Sequence, residues 1–313
     1  MSSPLFEPFL QRRGYVLLDG GLATELEKEG HDLNDSLWSA KILTEDPDAI
    51  LRAHLAFLES GADCIVTSSY QATPQGLVAR GHSPEEARQL IRKSYDLAAE
   101  ACARFIASTP ESGSRPAPLV AASIGPYGAY LADGSEYTGR YDIDVPELVE
   151  FHRERFELLA DLSALLAIET IPSLPEAEAF RRLFEESPAA RAWVSFACRD
   201  GERISDGSLL RDAVAPFDDL EQVVAVGVNC TSPDHVTSLI DAIRDRGTHK
   251  EIVVYPNSGA RYCVHDRSWS PEPTEGRVVD LVGTWRAKGA RLIGGCCQID
   301  ASDLSNISQA LER

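Results

Sequence analysis

Short apolar runs separated by longer stretches of helical periodicity recur along the chain. The apolar runs are Tyr15–Leu18, Cys64–Thr67, Leu119–Ser123, Leu165–Ile168, Trp193–Ala197, Val223–Val228, Ile252–Tyr255 and Arg291–Ile293. They are rich in Val, Ile and Leu and lack apolar–polar alternation, which predicts parallel strands covered on both faces. Helical patterns fill the intervals at Asp48–Ser60, Ser83 through Ala107, Val145–Leu162, Pro175–Glu186, Pro233–Arg246, Glu275–Lys288 and Ala301–Leu311. Two of them carry start signals: Asp46-Pro47 precedes the first, and Ser83-Pro84-Glu85-Glu86 has capping-box spacing. Eight strands, each followed by a helix or helix-like segment, predict an α/β protein folded as a single-domain (β/α)8 TIM barrel spanning 1–313. A doubly wound open sheet is the alternative. Gly20-Gly21 after the first strand lacks the third glycine of a dinucleotide-binding turn, which disfavours it.

Two connections are long. Pro126–Pro146 contains three glycines and four tyrosines, and Asn257–Thr274 contains His265 and Trp269. Both follow strands, so in a barrel both lie at the rim where active sites form, and both read as functional loops.

The charge balance removes several partner classes. The chain has 313 residues with 49 Asp and Glu against 30 Lys and Arg, a net charge of −19. Such a field repels phosphate backbones and anionic membranes, and no local Lys/Arg cluster offsets it, so no nucleic-acid partner is expected. No apolar run is long enough to span a bilayer, and the N-terminus lacks the layout of a signal peptide. Seven cysteines, at 64, 102, 198, 230, 263, 296 and 297, are odd in number and irregular in spacing. Reduced thiols in a cytoplasmic protein are the expectation.

The residues just past each strand converge on one face of a barrel. Here they include Asp19, Ser68-Ser69-Tyr70-Gln71, Ser123, Glu169-Thr170, Cys230, Asn257-Ser258 and Cys296-Cys297. Three cysteines therefore reach one rim from the sixth and eighth strands. Three thiolates with an open fourth position suit a catalytic zinc. Gly294-Gly295 before the cysteine pair leaves room for the backbone to bring the sulfurs together. Three thiolates more than neutralise Zn²⁺, making a weak Lewis acid that is poor at generating hydroxide but good at binding and ionising a fourth thiol. A free thiol has a pKa of about 8.5 and is mostly protonated at neutral pH, so this site points to alkylation of a thiol. Cys64, Cys102 and Cys198 fall inside strand or helix patterns and read as core thiols, and Cys263 reads as an exposed loop thiol. Glu169 ends an apolar strand, where a carboxylate without a cation is costly, so it reads as a substrate-binding group. Asp19 reads the same way, with capping of the next helix as the alternative. An aromatic face attracts cations, which makes Tyr127, Tyr130, Tyr137 and Tyr141 candidates for a binding pocket, with surface packing of the long loop as the alternative.

These residues lie in segments that together resemble the homocysteine S-methyltransferase family. The segments are Asp19–Leu26 (DGGLATEL), Ser36–Ala40 (SLWSA), Ser69–Thr73 (SYQAT), Ser123–Tyr137 (SIGPYGAYLADGSEY), Glu169–Pro172 (ETIP), Gly227–Cys230 (GVNC), Val254–Gly259 (VYPNSG) and Gly289–Cys297 (GARLIGGCC). They follow the family order over nearly the whole chain. The chain is most similar to the short, single-domain members that use S-methylmethionine or S-adenosylmethionine as methyl donor. The resemblance implies a barrel with Zn²⁺ held by Cys230, Cys296 and Cys297, and homocysteine as acceptor, converted to methionine. It also implies that Asp19 and Glu169 pair with the homocysteine ammonium and that donors near Ser68 and Ser123 take its carboxylate. Asn257 or Tyr70 would approach the metal when substrate is absent. A sulfonium donor would find candidate aromatic faces in Tyr127, Tyr130, Tyr137 and Tyr141. The chain departs from the family pattern at Gln298, where arginine is usual, and at Ala260, where glutamate is usual. These departures bear on donor preference. Two further readings stay open: a non-catalytic zinc or thiol sensor of sulfur metabolites, and a methyltransferase acting on selenocysteine or another thiol. Oligomeric state is not legible.

Overall fold

The computed structural model describes residues 3–33, 38–108, 115–259, 262–263, 268–269 and 277–313. Eight parallel strands form one sheet: β1 Val16–Leu17, β2 Cys64–Val66, β3 Leu119–Ile124, β4 Leu166–Ile171, β5 Ala192–Phe196, β6 Val223–Asn229, β7 Glu251–Tyr255 and β10 Ala290–Ile293. Between the last two, Tyr262–Cys263 (β8) and Ser268–Trp269 (β9) pair as a small antiparallel ribbon. The strand order β1-β10-β7-β6-β5-β4-β3-β2 is that of a barrel opened between β1 and β2. A parallel bridge from Leu18 to Cys64 joins those two edges, with the Asp63 amide donating to the Leu17 carbonyl at 2.7 Å. All eight expected strands are present, and the barrel is the fold.

The strands read as continuous apolar runs because each is covered twice. Alternate residues point inward and outward. On β4, Leu166 and Ile168 face the helical layer, while Ala167, with Leu165 just before the strand, joins Val16, Leu18, Ala121, Trp193, Ala225, Val253 and Leu292 inside the barrel. Phe6 and Phe9, flanking the start of and lying within the helix Glu7–Arg13, pack on the interior cluster. Small interior residues such as Ala121, Ala167 and Ala225 leave space for Trp193 and Tyr255, so the lower barrel is filled rather than hollow.

The helices Val145–Leu162 and Ala301–Leu311 have the expected bounds. Pro47–Glu59, Pro84–Ser108, Leu174–Glu186, Pro233–Arg244 and Arg277–Ala287 lie within a few residues of theirs. Ser83 and Glu86 close the expected capping box, at 2.7 and 3.3 Å. One expectation is corrected: Pro126–Pro146 is not an irregular loop but carries the helix Tyr127–Leu131 and a 3-10 turn at Ser135–Tyr137. The reason is local packing. A Cβ on Gly128 would sit 2.4 Å from the Glu136 amide, so this glycine lets the two short elements fold onto each other. Among the described residues no helix is long and apolar enough to cross a membrane.

His54, on the inner face of Pro47–Glu59, is fully buried, and among the described residues neither ring nitrogen has a hydrogen-bond partner. Burial lowers its pKa to about 4, below the ~6.5 of an exposed imidazole. Between those values the unfolded chain binds a proton that the folded chain refuses, so stability falls with pH from 6.5 towards 4. This residue alone makes the protein about 2 kcal/mol less stable at pH 5 than at pH 7.5. Urea denaturation of the wild type and His54→Leu at the two pH values checks this. The variant should lose less stability on acidification, and equal losses would refute the assignment.

Candidate active site

The polar top of the barrel follows from strand parity. Continuing the inward-facing positions by two residues brings Ser123 on β3, Glu169 on β4, Ser195 on β5 and Tyr255 on β7 together, and on β6 a step of four, past Gly227, adds Asn229. All five are buried. They are linked to one another: the Ser123 hydroxyl donates to Glu169, and the Tyr255 hydroxyl also hydrogen-bonds Glu169. Tyr255 contacts Ser195 at 2.6 Å and accepts from Trp193 at 2.9 Å, while Ser195 donates to Asn229 at 2.9 Å.

Asn229 holds an unusual backbone. Thr170 has φ +63°, a left-handed conformation that a β-branched residue avoids. The Asn229 side chain accepts from the Thr170 amide and donates to its hydroxyl, both at 2.7 Å. The next residue, Cys230, is also left-handed at φ +46°. One amide side chain thus stabilises the turn that follows Glu169 and immediately precedes the first cysteine.

The three cysteines meet above this layer. Their sulfurs lie within 4.8 Å of one another, with Cys230–Cys296 at 2.6 Å, Cys230–Cys297 at 3.6 Å and Cys296–Cys297 at 4.0 Å. Tetrahedral zinc–thiolate bonds of ~2.3 Å separate neighbouring sulfurs by about 3.8 Å, close to two of these edges and longer than the third. Hydrogen bonds from Cys230 and Cys296 hold the Cys297 thiol well below its ordinary pKa, while donation to its two neighbours keeps Cys230 well above. Cys296 is also held well above, so of the three sulfurs Cys297 is the one that its neighbours favour as a thiolate. Gly294-Gly295 permits the approach: a Cβ on Gly294 would lie 2.6 Å from Leu18 Cβ, and one on Gly295 would lie 2.3 Å from Ile299 Cγ2. The Gly295 amide also donates to the Asp19 carbonyl at 2.9 Å, tying β10 to the end of β1. By contrast, Cys64, Cys102 and Cys198 are buried core thiols, and burial pushes Cys102 up to about 11. The side chain of Cys263 lies outside the described residues, as does Ala260.

Two carboxylates sit beside the sulfurs. Asp19 does not cap the helix Leu22–Lys28; its carboxylate accepts from the Val66 amide on β2 at 2.8 Å. Burial pushes Asp19 well above the usual carboxylate range, with Glu169 and Cys296 adding to it. Burial likewise pushes Glu169 up to about 7. Among the described residues neither forms an ion pair with a Lys or Arg, and the leading influence on both is burial. Two buried carboxylates without a cation form a receptor for one.

The other expected residues fall into two groups. Tyr70 hydrogen-bonds Thr170, and its hydroxyl feels the charges of Glu136, Cys230 and Glu169. Ser68 is buried with its hydroxyl unpartnered among the described residues, whereas the Ser123 hydroxyl is committed to Glu169. Asn257 is spent on its own loop, accepting from the Gly259 amide at 3.1 Å. The Tyr127 ring packs on Tyr141 and Phe151 at 5.3 and 4.8 Å, and its amide donates to buried Glu176 at 2.6 Å. Of the four tyrosines in this segment, Tyr137 is the one whose neighbours include Cys297, Cys230 and Tyr70. Gln298 is left-handed at φ +63° with its amide on Thr24 Oγ1 at 2.9 Å. Asn229, Ser195, Tyr255 and Glu136 were missed as site residues from the sequence, whereas Tyr137 was among the four candidate tyrosines. For the first three the usable signal was inward parity one step beyond each apolar run.

The profile of the homocysteine S-methyltransferase family matches residues 16–311. The homocysteine S-methyltransferase YbgG of Bacillus subtilis (strain 168) is 48% identical over 294 residues, covering 94% of this chain and 93% of that protein. The homocysteine S-methyltransferase of Escherichia coli (strain K12) is 46% identical over 298 residues, 95% of each. The crystal structure of the Escherichia coli homocysteine methyltransferase MmuM in its metallated form aligns with a TM-score of 0.86 at 43% identity, covering 97% of this chain and 99% of that one. With a match of this extent laid over a barrel that gathers three thiols at its rim, the chain belongs to the homocysteine S-methyltransferase family.

Proposed function

We propose that this protein transfers a methyl group from a sulfonium donor, S-methylmethionine or S-adenosylmethionine, to the thiol of L-homocysteine, forming methionine. The observation that carries the reading is three sulfurs within 4.8 Å beside two buried carboxylates that lack a cation among the described residues. Cys230, Cys296 and Cys297 would hold Zn²⁺, which fits an all-sulfur donor set with one open position. Bound there, the ion supplies ionisation of the substrate thiol at neutral pH. The rest of the chain, read as one homocysteine-binding barrel over 1–313, positions the reactants. Asp19 and Glu169 take the homocysteine ammonium. The Ser68 hydroxyl, buried and unpartnered among the described residues, is a donor for its carboxylate. Held at that end, the acceptor sulfur points to the cysteine cluster, and methyl transfer becomes a positioned displacement. The new C–S bond forms as the donor's C–S bond breaks, its electron pair stays on the donor sulfur, and the acceptor's thiol proton leaves to solvent. A neutral thioether departs, so no general acid is required. A reducing cytoplasmic compartment keeps the three thiols available.

The test is methionine formation from homocysteine by reduced, zinc-replete protein, with S-methylmethionine and S-adenosylmethionine supplied separately. Turnover with S-methylmethionine is expected. Binding of homocysteine with no turnover from either donor would instead identify a sensor. Turnover with selenocysteine but not homocysteine would change the acceptor.

A further inference from the structure

One carboxylate near the cysteines is not used by the acceptor. Glu136 lies in the 3-10 turn Ser135–Tyr137, which Gly128 holds against the helix Tyr127–Leu131. One edge of its carboxylate faces the backbone amides of Gly134 and Glu136 itself. The other oxygen, Oε2, is buried and has no hydrogen-bond partner among the described residues. Two aromatic rings share this space. Glu136 is the charge acting most strongly on the Tyr70 hydroxyl, and Tyr137 is flanked by Cys297, Cys230, Tyr70 and Glu136. Tyr70 is itself fixed, its ring packed where a Cβ on Gly125 would stand 2.6 Å away and its hydroxyl bonded to Thr170. Two tyrosine rings thus border the sulfurs beside a half-satisfied carboxylate that forms no ion pair among the described residues; the buried Arg155, which acts on Tyr70, is spent on the Tyr70 and Gly125 carbonyls at 3.1 and 2.7 Å.

We propose that Glu136, with the rings of Tyr70 and Tyr137, is the recognition site for the cationic methyl donor. This rests on the methyl-transfer reading above and assigns its second substrate. The chemistry fits a sulfonium amino acid: aromatic faces attract a diffuse cation, and a buried carboxylate oxygen without a partner takes a positive group or its ammonium. It also divides the labour between carboxylates. Asp19 and Glu169 serve the cation of the acceptor, and Glu136 serves that of the donor. The donor's sulfur loses its positive charge as the methyl leaves, so attraction to Glu136 is at least as strong in the bound ground state as in the transition state. Glu136 therefore sets donor affinity and does not raise the rate of the bound complex.

Glu136→Gln tests this in the zinc-replete protein. Calorimetric affinity for S-methylmethionine should weaken about 10- to 50-fold, the range for loss of a charge-assisted contact. The donor KM should rise in parallel, while homocysteine KM, kcat and zinc content stay within about twofold. The melting temperature should hold or rise, because a buried carboxylate without a cation is removed. Equal losses for both substrates with a lower melting temperature, or unchanged donor affinity, would overturn the proposal. A wild type that binds S-methylmethionine without turnover, and binds it more weakly as Glu136→Gln, would fail the methyl-transfer reading but keep this one. A wild type that binds no sulfonium compound would end both.

Discussion

Cys296→Ser should leave the protein without retained metal and lower methyl transfer by at least about 10³-fold. Serine is isosteric, but its hydroxyl stays protonated at neutral pH and offers a metal a far weaker ligand than a thiolate. Two effects then combine. Without ionisation at the site only a few per cent of the acceptor is thiolate at neutral pH, and the sulfur is no longer held in line with the donor methyl, a loss worth several further powers of ten in well-oriented systems. The change also removes a hydrogen bond that helps keep Cys297 ionised. Metal content after gel filtration with a chelator, measured beside the methionine assay, reads both consequences. Cys198→Ala, at a buried thiol outside the triad, should keep metal and activity. Full activity in metal-free Cys296→Ser protein would sink the three-thiolate mechanism.

The same cysteines show how far the amino-acid pattern reaches. Cys230 and Cys296-Cys297 stand one residue or a glycine pair beyond apolar runs, and a barrel brings all strand ends to one rim, so their meeting was legible before any coordinates. The strands themselves were legible because burial on both faces leaves uninterrupted Val, Ile and Leu. Ala301–Leu311 was likewise set by its apolar spacing, with Asp300 and Asp303 closing a capping box at its start. The polar layer beneath the sulfurs was not. Asn229 and Ser195 look like strand residues, and only the inward parity of each strand shows that they point at Thr170 and Tyr255. Tyr127 and Tyr137 illustrate the opposite difficulty. Composition makes both equally good pocket residues, yet the buried carboxylate of Glu176 draws the Tyr127 amide and the Tyr141 hydroxyl away to the helix Leu174–Glu186. The turn at Gly134 leaves Tyr137 facing the thiols. Which tyrosine faces the site is thus set by a hydrogen bond from a distant helix, and sequence spacing does not encode that.

Glu169→Gln should lower kcat/KM for homocysteine about 100-fold, or about 2.7 kcal/mol, with metal content unchanged. The carboxylate is fixed by Ser123 and Tyr255 and lies beside Asp19, and burial raises it to about 7. That environment disfavours the charged form unless a cation arrives, so an incoming ammonium finds its partner already positioned and desolvated. Glutamine keeps the shape and can accept from both hydroxyls, but it cannot offer the charge. The loss should follow the ammonium of the acceptor rather than its sulfur. A simple thiol such as 1-propanethiol, which lacks the amino-acid end, should therefore react slowly but equally well with wild type and Glu169→Gln. Homocysteine should lose its advantage over that thiol in the variant. If both acceptors fall by the same factor, Glu169 acts by holding the Thr170–Cys230 region in shape, and the ammonium belongs to Asp19 alone.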